Sequence, residues 1–220
     1  MANYLITGTN RGIGLEYCKQ LQAKGETVIA VCRQPSAELK NLGVKIESGI
    51  DVTSDESVSE LAQRLAGSSI DVLINNAGII EANSLDHLDF ESLERQFQVN
   101  AIAPLRVTKA LLPLIPKGGK IILMTSRMGS IEDNTSGGFY GYRMSKTALS
   151  MAGKSLAEDL KPRQIPVGIL HPGMVQTRMT DFSGITTTES VQGLLKRIEE
   201  LNLDNSGTFW HGVKGEILPW

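Results

Sequence analysis

The stretch FYGYRMSK, residues 139–146, places a phenol and an ammonium four residues apart. On a helix, positions i and i+4 share a face, so Tyr142 and Lys146 are neighbours. A tyrosine with a reference pKa of about 10 is a poor acid–base group at neutral pH. A nearby cation favours the phenolate and brings that value toward the working range. Spacing alone favours a plain amphipathic pair over a catalytic one. Tyr140 cannot play the same part, because Met144 lies four residues on.

Other polar residues recur just after apolar runs. NYLIT is followed by TGTNRGIG, with Gly8, Gly12 and Gly14. A backbone that passes close to a pyrophosphate cannot carry a Cβ, and the next helix turns free N–H groups toward phosphate. Glycines also serve ordinary turns; the strand before and helix after favour the nucleotide reading. Downstream, where NAD sites use an acidic residue on the ribose 2′-hydroxyl, stand Cys32 and Arg33. Arg11 lies inside the glycine loop. Two guanidinium forks suit a 2′-phosphate, so NADP is preferred, the alternative being two solvated surface charges. Asp51 is placed to accept from an adenine amine. Asn75 reads as a site residue or a satisfied core amide. Ala77–Gly78 would let the backbone lie against an adenosine. Ser126, after GKIILMT, is either a turn serine or a donor to a substrate carbonyl oxygen.

The elements that must position these groups alternate. Strand signals fall at NYLIT, TVIAVC, VKIESGIDV, IDVLINNAG, GKIILMTS and PVGILHPG, with a last one in GTFWHGVKGEILPW. Helical periodicity falls between them. GLEYCKQLQAKG ends on Gly25, and TSDESVSELAQRLA opens with Thr53 and Glu56 spaced as a capping box. FESLERQFQVNAIAPLRVTKALLPLI reads as one long helix that Pro104 kinks or breaks. A second long helix, YGYRMSKTALSMAGKSLAEDLK, stops at Pro162. This order predicts one α/β domain over residues 1–220, a doubly wound (Rossmann) parallel sheet with helices on both faces. Ligands in such sheets sit beyond the carboxyl ends of the strands. A small substrate lid is expected around 174–205. An apolar pocket would draw on Met128, Ile131, Phe139, Tyr140, Met174, Met179 and Phe182, the alternative being that half of these are core.

Bulk properties narrow the classes. A net charge of −2 with 21% charged residues speaks against a nucleic-acid surface. No window approaches the apolar length of a membrane span, and the first residues do not form a signal peptide. Cys18 and Cys32 read as small buried hydrophobes of a reducing, cytoplasmic compartment. His87, His171 and His211 lack ligand spacing, so no metal site is expected.

Taken together, Thr7-Gly8-x3-Gly12-x-Gly14, NNAG, Asn100, Ser126, Tyr142-x3-Lys146 and HPG followed by Thr177 resemble the short-chain dehydrogenase/reductase family over essentially the whole chain. The resemblance implies a catalytic tetrad. Asn100 would hold a relay water, Ser126 orient the substrate carbonyl and Tyr142 deliver the proton. Lys146 would lower the tyrosine pKa and bind the nicotinamide ribose. The implied contacts to NADP(H) come from Gly8, Asn10, Arg11, Gly12, Ile13, Gly14, Arg33, Asp51, Val52, Asn76, Ala77, Gly78, Tyr142, Lys146, Pro172, Gly173, Val175 and Thr177. Basic residues at Arg11 and Arg33 go with NADP in the family. Tyr142 lies sixteen positions after Ser126, longer than the family's usual spacing. With the short region after HPG, this is similar to the small sniffer-like and C-factor-like carbonyl reductases. The implied activity is NADPH-dependent reduction of a ketone or aldehyde. The alternative is a nucleotide-bound regulatory protein of the C-factor type with incidental catalysis. Family members associate as homodimers or homotetramers through the two long helices, here about 90–115 and 140–160.

Overall fold

The computed structural model describes all residues from 1 to 220. Seven parallel strands form one sheet: β1 (Asn3–Thr7), β2 (Thr27–Cys32), β3 (Lys45–Ser48), β4 (Val72–Asn75), β5 (Lys120–Met124), β6 (Val167–His171) and β7 (Phe209–His211). Their order is β3-β2-β1-β4-β5-β6-β7, so the winding reverses between β1 and β4. The register runs Leu5 to Ile29 on one side and Leu5 to Leu73 on the other.

Helices cover both faces, which is why the strands read as nearly continuous apolar runs. Tyr4, Ile6, Val28, Ala30, Ile74 and Ile122 pack under α1 (Gly12–Ala23) and α7 (Thr187–Glu200). The alternate residues Leu5, Ile29, Val31, Leu73, Ile121 and Leu123 pack under α3 (Asp55–Arg64), α5 (Ala103–Leu111) and α6 (Tyr140–Leu160). Cys18 and Cys32 are buried free thiols, and burial pushes the Cys18 thiol up to about 12.

One local expectation is corrected, the cap of α3, while the helix between β2 and β3 and the break near Pro104 agree with the sequence. A short helix, α2 (Ala37–Asn41), fills the crossover from β2 to β3, capped by Ser36, whose side chain accepts from the Leu39 N–H. The cap of α3 is Ser54, not Thr53: its hydroxyl accepts from the Ser57 N–H. Thr53 is held by Asp51 instead, its N–H and hydroxyl both donating to one carboxylate oxygen at 2.9 and 2.7 Å. The long helix expected from Phe90 divides into α4 (Phe90–Phe97), a π-turn over Gln98–Ile102 and α5. Pro104 lies in the first turn of α5 and has no N–H to return to the Asn100 carbonyl. A widened turn at that point accommodates the missing bond.

The region expected as a lid also divides. Val191, Leu194, Leu195 and Ile198 of α7 belong to the core. Residues Met174–Ile185 form an exposed flap, closed at its base by Gln176 N–H to Ile185 O at 2.8 Å and Ile185 N–H to Met174 O at 2.9 Å. At the far margin of the sheet the C-terminal residues fold back on β7. The His211 N–H donates to the Glu216 carbonyl and the Leu218 N–H to the Phe209 carbonyl, both at 2.8 Å. No helix is long and apolar enough to cross a membrane.

Candidate active site

The glycine loop, Arg33, Asp51, Asn75–Gly78, Ser126 and Pro172–Thr177 follow the carboxyl ends of β1, β2, β3, β4, β5 and β6 in turn. The β1–α1 turn holds Gly8 to Gly14. Gly8 and Gly12 have φ of +73° and +56°, which an L side chain rarely adopts. Gly14 is required for a different reason: a Cβ there would lie 2.2 Å from the Gly8 oxygen. A Cβ at Gly8 would meet the Ala77 Cα at 2.8 Å, so the glycine loop is pressed against NNAG. Thr7 ties the two, its hydroxyl accepting from the Asn76 and Ala77 N–H groups at 3.0 and 3.1 Å. The Asn76 amide donates back to the Thr7 carbonyl at 3.0 Å. No side chain caps the start of α1, so its first N–H groups face outward with the positive end of the helix dipole.

Asp51, Val52 and Ala77 follow along the same edge. Val52 and Ala77 line one crevice with Asn75, Val99 and Val107. Asp51 is held below the usual carboxylate range, first by the Thr53 hydroxyl and N–H, then by the nearby Arg33 charge. Arg11 and Arg33 are exposed, and neither forms a salt bridge. Asn75 is a core residue: its amide donates to the Thr108 hydroxyl at 3.1 Å and only 2% of it is exposed.

At the other end, Thr177 reaches the glycine loop. A Cβ at Gly12 would lie 3.4 Å from the Thr177 methyl, which brings Thr177 across from the glycine loop. Asn100 and Lys146 stand against NNAG, and Tyr142 stands beside Lys146. Gly78 marks the gap: a Cβ there would lie 3.2 Å from the Asn100 amide oxygen and 3.5 Å from the Lys146 ammonium.

The Asn100 side chain is wholly committed within the protein. Its oxygen accepts from the Ile79 N–H at 2.8 Å, and its amide donates to the Ile79 carbonyl at 2.9 Å and the Ser145 hydroxyl at 3.0 Å. The Ser145 hydroxyl in turn donates to the Tyr142 carbonyl at 2.8 Å. A chain of bonds therefore sets the π-turn against the first turn of α6. One turn earlier, Gln96 repeats the clasp, accepting from the Glu81 N–H and donating to its carbonyl. Sequence reasoning did not find Gln96 or Ser145. Neither residue type announces itself, and the partners are remote in the chain.

Lys146 is 5% exposed, and burial lowers its pKa to about 8. Its ammonium donates to the Met124 carbonyl at 2.8 Å and stands 5.7 Å from the centre of the Tyr142 ring. The Tyr142 phenol is displaced upward, chiefly by burial, with a Ser126 hydrogen bond pulling the other way. Burial thus outweighs the Ser126 hydrogen bond, and the net direction is upward, opposite to the expected depression.

Of the apolar residues expected around a pocket, none is core. Ile131, Met174, Met179, Phe182 and Phe139 are all exposed, and Met128 and Tyr140 are partly so.

A doubly wound parallel sheet with a glycine cradle at its reversal point and a Ser–Tyr–Lys cluster facing it defines an oxidoreductase of the dinucleotide-dependent class. The chain belongs to the short chain dehydrogenase family, whose model matches residues 2–187. Among curated proteins it is 41% identical to 1-hydroxy-2-glutathionyl-2-methyl-3-butene dehydrogenase of Rhodococcus sp. (strain AD45), covering 100% of both chains. It is 44% identical to C-signal of Myxococcus xanthus, over 69% of this chain and 93% of that one. Among solved structures it superposes on an NADPH-bound carbonyl reductase from chicken fatty liver with a TM-score of 0.91 at 31% identity, covering 100% of this chain and 99% of that one. The carbonyl reductase Sniffer of D. melanogaster gives a TM-score of 0.91 at 32% identity, with both chains covered in full.

Proposed function

We propose that the protein is an NADPH-dependent reductase of ketones or aldehydes. The observation that carries this reading is the grouping of Tyr142, Ser126 and Lys146, with the buried Lys146 ammonium 5.7 Å from the centre of the Tyr142 ring. Support for the cofactor comes from the cradle at Gly8, Gly12 and Gly14, the uncapped α1 and the two unpaired arginines. Asn10, Arg11 and Ile13 would line the phosphates, and Arg33 with Arg11 would receive the 2′-phosphate. Asp51, Val52, Asn76, Ala77 and Gly78 would hold the adenosine side. Pro172, Gly173, Val175 and Thr177 would hold the nicotinamide side.

Bound NADPH supplies a hydride to the carbonyl carbon. Ser126 donates a hydrogen bond to the carbonyl oxygen and fixes its direction. Tyr142 gives its phenolic proton to that oxygen, leaving an alcohol and a tyrosinate that solvent reprotonates. Lys146 supplies positive charge beside the tyrosinate as it forms. Asn100, whose side chain is fully engaged, contributes at most its main-chain carbonyl to a relay water. The flap Met174–Ile185, with Met174, Met179 and Phe182, would cover the substrate, and methionine suits a tolerant pocket.

A second reading, a nucleotide-bound regulatory protein, is favoured by the likeness to C-signal. A sensor needs the cradle but not Tyr142 and Lys146. The test is NADPH oxidation with a panel of aldehydes and diketones, run also in the alcohol-oxidising direction. Turnover with NADPH preferred over NADH supports the reductase. Tight NADPH binding without turnover of any carbonyl or alcohol overturns it.

A further inference from the structure

The long stretch between Ser126 and Tyr142 is held in place by one side chain of α6. Arg143 follows Tyr142 directly. Its Nε donates to the carbonyls of Gly137 and Gly138 at 3.2 and 3.1 Å. One terminal nitrogen donates to the Met128 carbonyl at 3.3 Å and the other to the Ser136 hydroxyl at 2.8 Å. All three guanidinium nitrogens are thus spent on residues 128 and 136–138, and none on a carboxylate. The same face of the helix holds the loop again lower down, where the Thr147 hydroxyl donates to the Gly129 carbonyl at 2.7 Å.

What Arg143 holds is strained. Gly137, Gly138 and Phe139 are left-handed in succession, with φ of +62°, +62° and +50°. A left-handed phenylalanine costs about 1–2 kcal/mol, and two glycines lose much backbone freedom when ordered. Such a conformation persists only when its surroundings over-determine it. The surroundings here are Arg143 on the two glycine carbonyls and Asn83, whose carbonyl accepts from the Phe139 N–H at 2.8 Å. Phe139 is also the residue from which α6 starts. The direction in which the chain enters α6 fixes where Tyr142 stands relative to Ser126. The far part of the loop has a separate anchor, the Trp220 main-chain oxygen, which accepts from the Glu132 N–H at 2.8 Å and the Ser130 hydroxyl at 3.2 Å.

We propose that Arg143 is a positioning residue for the proton donor: its guanidinium fork locks the left-handed entry to α6 and so sets the Ser126–Tyr142 geometry. The inference rests on Tyr142 giving the proton. It explains how this chain carries extra residues between the two without loosening the site. Lysine cannot replace the fork, because one ammonium cannot reach acceptors spread over two parts of the loop.

The test compares full-length wild type, Arg143→Ala and Arg143→Lys. It reads kcat and KM for one aldehyde that the wild type reduces, NADPH affinity, melting temperature and amide hydrogen exchange. A displacement near 1 Å at a reacting group costs up to about 100-fold, so kcat should fall about 10- to 100-fold in Arg143→Ala, with partial recovery in Arg143→Lys. NADPH affinity should be unchanged. Exchange should rise at residues 136–139 while the Glu132 amide, held at Trp220, stays protected. An unchanged kcat with faster exchange at 136–139 overturns the proposal. So does a joint loss of kcat, NADPH affinity and Glu132 protection, which marks a merely structural arginine. Should Arg143→Ala fail to fold, Arg143→Lys and Ser136→Ala each remove part of the fork, and wild-type kcat in both refutes the idea. A wild type that reduces no carbonyl sinks the functional reading instead, and the exchange pattern then decides for the loop alone.

Discussion

Replacing Lys146 with methionine isolates the energetic burden of its buried charge. The ammonium is 5% exposed and its pKa falls from 10.5 to about 8 through burial. That fall corresponds to about 3 kcal/mol, at about 1.4 kcal/mol per pH unit. The sign follows from proton counting. Between the two values the unfolded chain keeps the proton and the folded chain has released it. Stability therefore rises with pH across that window, and the burden is present in full below about pH 8. Lys146→Met removes the charge but strands the Met124 carbonyl, a loss of about 1–3 kcal/mol. Near pH 7 the two proteins should thus be of similar stability, the variant being inactive. As pH climbs toward 10.5, wild type should gain about 3 kcal/mol on the variant, since position 146 no longer titrates in the variant. Urea unfolding of both proteins without added nucleotide, at several pH values from 7 upward, gives the difference curve. A flat or falling difference would refute the buried-charge argument and the proton count behind it.

Tyr142→Phe should lower kcat by about 100- to 10,000-fold with NADPH affinity unchanged, read by single-turnover kinetics and a binding titration. Arg11→Ala combined with Arg33→Ala should erode the preference for NADPH over NADH by about fivefold per arginine, each exposed charged hydrogen bond contributing about 1 kcal/mol; unchanged selectivity would leave the arginines as plain surface charges. Gly14→Ala drives a Cβ to 2.2 Å from the Gly8 oxygen, so nucleotide binding should be lost along with about 1–3 kcal/mol of stability. Gly25→Ala serves as its contrast: nothing lies within 4 Å of that Cβ, and the change should cost about 1 kcal/mol through its positive φ while binding is retained.

The layered architecture was readable because each strand is a short apolar run punctuated by turn residues. Tyr142 and Lys146 were readable because a helix makes i and i+4 neighbours. Other features left no such trace. The five residues of α2 make little more than one turn, too few for a periodic pattern. The cap of α3 moved by one residue because the Asp51 carboxylate captured Thr53, a competition between neighbouring side chains that spacing does not reveal. Gln96 and Asn100 clasp the segment Ile79–Glu81 from 15 and 21 residues away, and an amide on a helix looks alike whether it faces water or a buried strand end. Arg143 reads as an ordinary charged residue until the loop it grips is seen. The upward displacement of the Tyr142 phenol comes from burial, which one sequence does not display.

The backward fold of the C-terminal residues onto β7 reaches beyond the site. A bare outer strand offers unpaired N–H and carbonyl groups on which another molecule's strand can add. Here those of Phe209 and His211 are already taken by Leu218 and Glu216. At the opposite margin β3 is only four residues long and carries Lys45 and Glu47, bridged at 3.2 Å. Both borders thus discourage cross-molecular sheet growth.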